Sequence, residues 1–263
     1  NHIEEGLEAI SANARARNLL DNSNFEIAQA GYPGKHGEKW FVADRWEAEQ
    51  RPNTAMYDNH FAFNAHDGGE IVVCQKTTDK IAAKLIGKTV TLAVCTEANE
   101  ILCATGTVAY DTPVAQIIYG NDWSVALHFF HSAGSYQLAR FIVNAGKTVN
   151  IKWVALYEGS YTVETLPPYI PKGYAAELAE CMRYFQFDNR TQYILTLGAG
   201  DYFKILNIQF FVPMRITPTI TGQGTESSIV FSAYNNKGLE ARLENASNFN
   251  TPAVTYWEAN ADL

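Results

Sequence analysis

A chain of 263 residues that is 47% hydrophobic and 18% charged can bury one large core or two modest ones, and its composition is that of a globular protein rather than a disordered one. Its formal charge of -8, with basic residues only in scattered pairs such as Arg15 and Arg17, argues against a phosphate-binding surface and so against nucleic acid as a partner. No apolar run approaches the roughly 20 residues of a membrane-spanning helix, so membrane insertion is not expected.

Ile3, Leu7, Ile10 and Ala14 follow one another at intervals of four, three and four, a heptad seam with the isoleucines at d and Leu7 at a. That placement favours more than two strands. Glu4, Glu5 and Glu8 stand at the start and Arg15 and Arg17 at the end, an order that complements the helix dipole. So short a seam is marginal alone in water, and residues 1–17 read as the tail of a longer coiled coil. An amphipathic helix packed on its own domain is the alternative. With Asn1 at its start and no charged-then-apolar leader, the sequence reads as part of a longer polypeptide.

From Asn18 the pattern changes. The string NLLDNSNFE is rich in Asp and Asn, which bond their own backbone and favour turns. Short runs rich in Val, Ile, Phe and Tyr then begin near Phe41, His60, Glu70, Thr89, Ile101, Val114, Val125, Gln137 and Val149, separated by Gly or Asn-Asp turns. Such spacing suits antiparallel strands rather than βαβ units. Residues 18–165 therefore read as an antiparallel jelly-roll β-sandwich. Its last strand is Lys152 to Glu158, where Trp153, Ala155 and Tyr157 alternate with Val154, Leu156 and Glu158.

Pro167, Pro168 and Pro171 then fix φ and remove three donors, so residues 166–174 read as an extended connector. Beyond it Ala175, Leu178, Ala179, Met182 and Phe185 recur at helical intervals. Residues 175–263 read as a small, mainly β knob that opens with this one helix. Tyr193, Leu195 and Leu197 lead into Gly198-Ala199-Gly200-Asp201 and return through Phe203, Ile205 and Ile208, which predicts a hairpin. A second hairpin is predicted around Asn235-Asn236-Lys237-Gly238, and Val254 and Tyr256 mark a last strand. A unit this small has few internal staples, and association about a threefold axis or packing on the sandwich would cover its edges.

The run GSYTVETLPPYIPKGYAAELAECMRYFQ (159–186), with VPMRITPTI at 212–220 and the terminal EANADL, resembles the distal part of bacteriophage or prophage tail-fibre and baseplate proteins. The opening NHIEEGLEAI resembles their helical linker, and NLLDNSNFE the entry of carbohydrate-binding-module sandwiches, where such a string begins the first strand. The resemblance implies a sandwich closed by a Leu-Tyr-Glu-Gly type strand and a knob opened by an Ala-Glu-Leu-X-X-Cys-X-Arg-Tyr-Phe helix. It also implies a homotrimer on the virion tail, assembled in bacterial cytoplasm and active outside the cell. Its partners would be other tail proteins, through the N-terminal segment, and bacterial cell-surface carbohydrate. Glu26 and Glu158 match the two ends of related sandwiches that hold a structural calcium, with ordinary surface carboxylates as the alternative. No other cofactor is implied.

Metalloprotease, phosphate-loop, dinucleotide and nucleophile-elbow patterns are absent from the sequence, and no enzymatic activity is expected. Cys74, Cys95, Cys103 and Cys181 lack zinc-site spacing and read as free, buried thiols, although Cys95 and Cys103 could be paired across a hairpin. Sugar binding has a firmer basis, because a pyranose stacks its C–H face on Trp or Tyr while amides, carboxylates and Arg direct hydrogen bonds. Two stretches carry that chemistry. Tyr32, Trp40, Asp44, Arg45 and Trp46 form the first, with Trp46 also suited to the core, since the KWFVADRWE stretch resembles an Asp-Arg-Trp segment whose tryptophan is frequently inside. Tyr119, Asn121, Asp122 and Trp123 form the second, at a loop. The expected function is a trimeric glycan-binding adhesin; a purely structural spacer is the alternative, and a polysaccharide depolymerase a third.

Overall fold

Period-two runs become strands along most of the chain, which is mainly β. The structure, a computed structural model, describes residues 16–29, 34–36, 39–49, 53–57, 60–65, 69–78, 83–109, 116–132, 135–188, 192–193, 204–224, 229–243 and 253–261. The heptad seam of residues 3–14 lies outside them, as does Tyr32. Two compact units result, the first reaching Tyr174 and the second spanning Ala175–Asp262.

The first unit begins with β1 (Gly34–His36), β2 (Lys39–Ala43), β3 (Trp46–Ala48), β4 (Asn53–Tyr57), β5 (His60–Asn64) and β6 (Ile71–Thr78). It continues through β7 (Thr89–Thr96), β8 (Ile101–Thr107), β9 (Gln116–Tyr119), β10 (Trp123–Ser132), β11 (Ser135–Val143) and β12 (Thr148–Glu158). One sheet has the order β1-β2-β3-β6-β11-β10-β9 and the other β4-β5-β12-β7-β8, all antiparallel. β12 is the centre of its sheet and starts four residues earlier than its alternation suggested, because a bulge between Ile151 and Trp153 breaks the period.

Alternation turns Val125, Leu127 and Phe141 of one sheet and Phe63, Leu92 and Leu156 of the other onto one shared core. Phe25 sits in its middle. The Phe25 ring lies 5.0 Å from Trp46, 5.6 Å from Phe63 and 6.3 Å from Phe141, so it touches both sheets although it belongs to no strand. The opening segment 16–29 is not the first strand that its composition resembles but an irregular plug with turns at 21–25.

Asn22 builds that plug. Wholly buried, it donates from Nδ2 to the Ile27 and Asp44 carbonyls, both at 2.8 Å, and accepts the Ile27 amide at 2.9 Å. Its own carbonyl accepts the Trp46 indole N–H at 2.8 Å. Asn22 and Phe25 hold φ of 48° and 61°, left-handed values that an L side chain adopts only where surrounding bonds impose them.

The proline-containing segment forms no strand, as its missing donors require, yet it is tied to the outer face of the β12 sheet. Thr91 donates to the Gly159 carbonyl at 2.8 Å and accepts the Tyr161 amide at 3.0 Å. Tyr169 stacks on Trp153 with centroids 4.8 Å apart and planes 5° from parallel, and its hydroxyl lies 2.9 Å from that of Ser23. These contacts explain why Ala93, Ala155 and Tyr157 are buried on both sides of the sheet.

The second unit opens with helix α1 (Tyr174–Met182) and continues through β13 (Phe185–Asp188), β14 (Gln192–Tyr193), β15 (Lys204–Gln209), β16 (Thr219–Gly224), β17 (Ile229–Asn235), β18 (Gly238–Leu243) and β19 (Ala253–Asn260). β19 pairs with β13, β14 and β16, while β15, β18 and β17 form a separate sheet in that order. Both contribute to a core around Trp257, Leu239 and Met214. The buried stripe of α1 runs through Glu177 and Cys181, whereas Ala175 is exposed, a shift from the apolar spacing expected. The hairpin expected between Tyr193 and Ile208 does not form. Its arms go to different sheets, β14 to β19 and β15 to β18.

The other hairpin is as its turn residues dictate. Asn235 pairs with Gly238 across the β17–β18 turn, where a Cβ on Gly238 would lie 2.6 Å from the Ile208 carbonyl oxygen. Only glycine fits there. Beside it, buried Gln186 donates to the Met182 carbonyl at 2.8 Å and the Val212 carbonyl at 2.6 Å and accepts the Phe211 amide at 2.9 Å.

Candidate functional site

The hairpin turns β7–β8, β9–β10 and β11–β12 emerge at one end of the first unit and enclose a cleft of about 240 Å³. Thr96, Glu97 and Glu100 line it from the first turn, Asn121, Asp122 and Trp123 from the second, and Thr148 and Asn150 from the start of β12. Buried Trp123 and Val149 form its apolar part, while Glu97, Asn121 and Thr148 are exposed.

Each turn is held by its own hydrogen bonds. The Thr96 amide donates to the Glu100 carbonyl at 2.9 Å and the Asn99 amide to the Thr96 carbonyl at 3.0 Å, with Asn99 at φ 61° closing the bend. Gly120 donates to the Trp123 carbonyl at 2.8 Å, and the Asn144 amide donates to the Asp122 carbonyl at 2.9 Å. Cross-turn contacts then join them. The Trp123 indole N–H approaches Glu100 Oε2 at 3.4 Å, Asn150 Nδ2 approaches Glu97 Oε2 at 3.4 Å, and Lys147 pairs with Asp122 at 2.9 Å. A side chain on Gly120 would crowd Leu102 and the Trp123 carbonyl, both at 3.2 Å, so the second turn lies close against the first.

This cleft gathers three of the residues the sequence singled out, Asn121, Asp122 and Trp123. Trp123 is only 2% exposed: it is the first inward residue of β10, not a ring at a loop tip. Tyr119 is 76% exposed at the end of β9, just before the turn. Glu97, Glu100 and Asn150 were not singled out. The signal for them was the polar Thr96 to Glu100 turn between two apolar strands.

The first aromatic stretch is structural. Trp46 is wholly enclosed, so its ring offers no face to a sugar. Asp44 is buried and accepts the Gln29 backbone amide at 2.9 Å, and its second oxygen accepts Gln29 Nε2. Arg45 is buried at φ 71°, with its guanidinium 3.6 Å from Asp21 and donating to the Lys76 carbonyl. Trp40 is half-buried against the core. All four tie the β2–β3 region to the body of the sandwich rather than lining the cleft.

Calcium ligation by Glu26 and Glu158 finds no geometric support. Among the described residues neither belongs to a group of three close ligands, and Glu158 pairs with Lys88 at 2.9 Å. All four cysteines are free thiols, and Cys103 is half-buried rather than buried. In the β7–β8 register Cys95 faces Ile101 and Cys103 faces Ala93, so the two are diagonal and not opposite. Burial raises the Cys95 thiol, and burial with the nearby Glu164 carboxylate pushes Cys103 up to about 11, so both remain protonated, weakly reactive thiols at neutral pH.

No protein-family model, curated protein sequence or solved structure matches this chain.

Proposed function

We propose that this chain is the distal region of a phage or prophage tail fibre, a homotrimeric adhesin that holds bacterial surface glycans. Residues 1–17 would zip three copies as a coiled coil, residues 18–165 would follow jelly-roll topology, and the unit from Ala175 would be the terminal knob. Other tail proteins would engage the N-terminal segment. No catalytic step is assigned to it.

The observation that carries this proposal is the polar cleft between the three hairpin turns, with amide, hydroxyl and carboxylate groups about a partly apolar wall and exposed Tyr119 nearby. Sugars are held by that combination of directed hydrogen bonds and C–H stacking. Three copies acting on one cell surface raise avidity without requiring a tight individual site. A structural spacer is the second reading, favoured by the burial of Trp46, Trp123 and Trp257 in the two cores.

A glycan array probed with the full chain and with Tyr119→Ala separates the two. Tyr119 is exposed, so its loss leaves thermal stability within about 0.5 kcal/mol, while binding falls about five- to tenfold. Wild-type signal at background throughout would leave only the spacer. Light scattering on the same sample is expected to give about three times the 29.2 kDa of one chain, and a monomer would remove the fibre.

A further inference from the structure

We infer that the cleft selects its glycan by charge, taking neutral or amino-bearing sugars and excluding those that carry carboxylate, sulfate or phosphate. This inference rests on the sugar-binding proposal above and adds the ligand class to it.

The side chains on the cleft make the case. Glu97, Glu100 and Asp122 bring three carboxylates from two different turns, and no Lys or Arg lines the cleft with them. Carboxylates accept hydrogen bonds and donate none, so a fitting ligand must present donors. Hydroxyl groups do so, and an ammonium group does so with charge assistance. A ligand carboxylate or phosphate brings further acceptors and like charge to a site already rich in both, which costs affinity and slows encounter.

The nearest cations do not reverse this. Lys147 is committed to Asp122 at 2.9 Å, and Lys152 reaches the Asn99 side-chain oxygen at 3.4 Å. Glu100 is also held in place, because the Trp123 indole N–H approaches one oxygen and Gly120 flanks the other. A carboxylate fixed between a buried tryptophan and a closely packed turn cannot swing away from an approaching anion. Asn121, Asn150, Thr96 and Thr148 donate to neutral hydroxyls as well, so the exclusion comes from charge and not from a lack of donors.

The test uses the full chain and three methyl glycosides, a hexose, its 2-amino-2-deoxy form and the corresponding hexuronate, in the gluco, galacto and manno series. Saturation-transfer titration at low ionic strength gives their dissociation constants. In the series that binds, the amino sugar is expected tightest and the uronate at least about tenfold weaker than the hexose, a gap that narrows with added salt. Glu97→Gln and Glu100→Gln together should shrink the gap. Gln can still accept from the Trp123 and Asn150 N–H groups, and a melting curve checks the fold. Uronate binding equal to or tighter than hexose, or a gap unchanged in the double variant, would overturn the charge selection and leave sugar binding standing. Saturation by none of the nine glycosides would overturn both.

Discussion

Asn22→Ala is expected to lower the stability of the first unit by about 3–5 kcal/mol. Truncation leaves three buried backbone groups without partners, the Ile27 and Asp44 carbonyls and the Ile27 amide. Each buried group left unsatisfied costs about 1–3 kcal/mol, less than additively when they share one site. Alanine must also hold the φ of 48° that asparagine tolerates better. For a unit of this size the melting temperature should drop about 10 °C. Asn22→Gly relieves the φ but not the lost bonds, so it should recover only about 1 kcal/mol. Urea unfolding followed by intrinsic fluorescence measures both, and a loss under about 1 kcal/mol for Asn22→Ala would mean that the plug is not held as described.

Gln186→Ala should be the more damaging change to the smaller unit. Its amide joins three backbone groups, the carbonyls of Met182 and Val212 and the amide of Phe211, none of which has room for another side chain to replace it. The expected cost is about 2–4 kcal/mol. A small unit has a small unfolding entropy, so each kcal/mol moves its midpoint by about 4–8 °C. Trp257 is the only tryptophan after residue 174 and sits in that core, which makes its fluorescence the natural probe. Gln186→Leu keeps the volume and loses the bonds. If it were as stable as wild type, packing rather than hydrogen bonding would be what Gln186 supplies.

Sequence alone revealed the local features and missed what depends on distant partners. The β17–β18 hairpin was legible because Asn235 to Gly238 is a turn whatever surrounds it. The strands from Thr89, Ile101, Val125 and Val149 were legible by their period. Phe25 was not, since its place between the sheets depends on Asn22, whose partners Asp44 and Trp46 lie more than twenty positions away. Trp123 was assigned to a loop tip on the evidence of Asn121 and Asp122, yet the alternation of Trp123, Val125 and Leu127 already indicated an inward residue. The α1 stripe shifted because Glu177, a charged residue, took a buried position that apolar periodicity does not anticipate. The cleft was legible only in part. Its turns could be found one by one, but that three of them meet at one end follows from how the two sheets pair.

The Trp123 indole N–H lies beside Glu100 inside the cleft and is one of only five such signals in the chain, so it can be followed by nuclear magnetic resonance in an isotope-labelled sample. Titration with neutral surface oligosaccharides released from bacterial envelopes should shift this signal, together with backbone signals of residues 96–100 and 120–123. The buried Trp46 indole should stay still. Shifts confined to other regions, or a spectrum unmoved at saturating sugar, would contradict the assignment of the cleft as a glycan site.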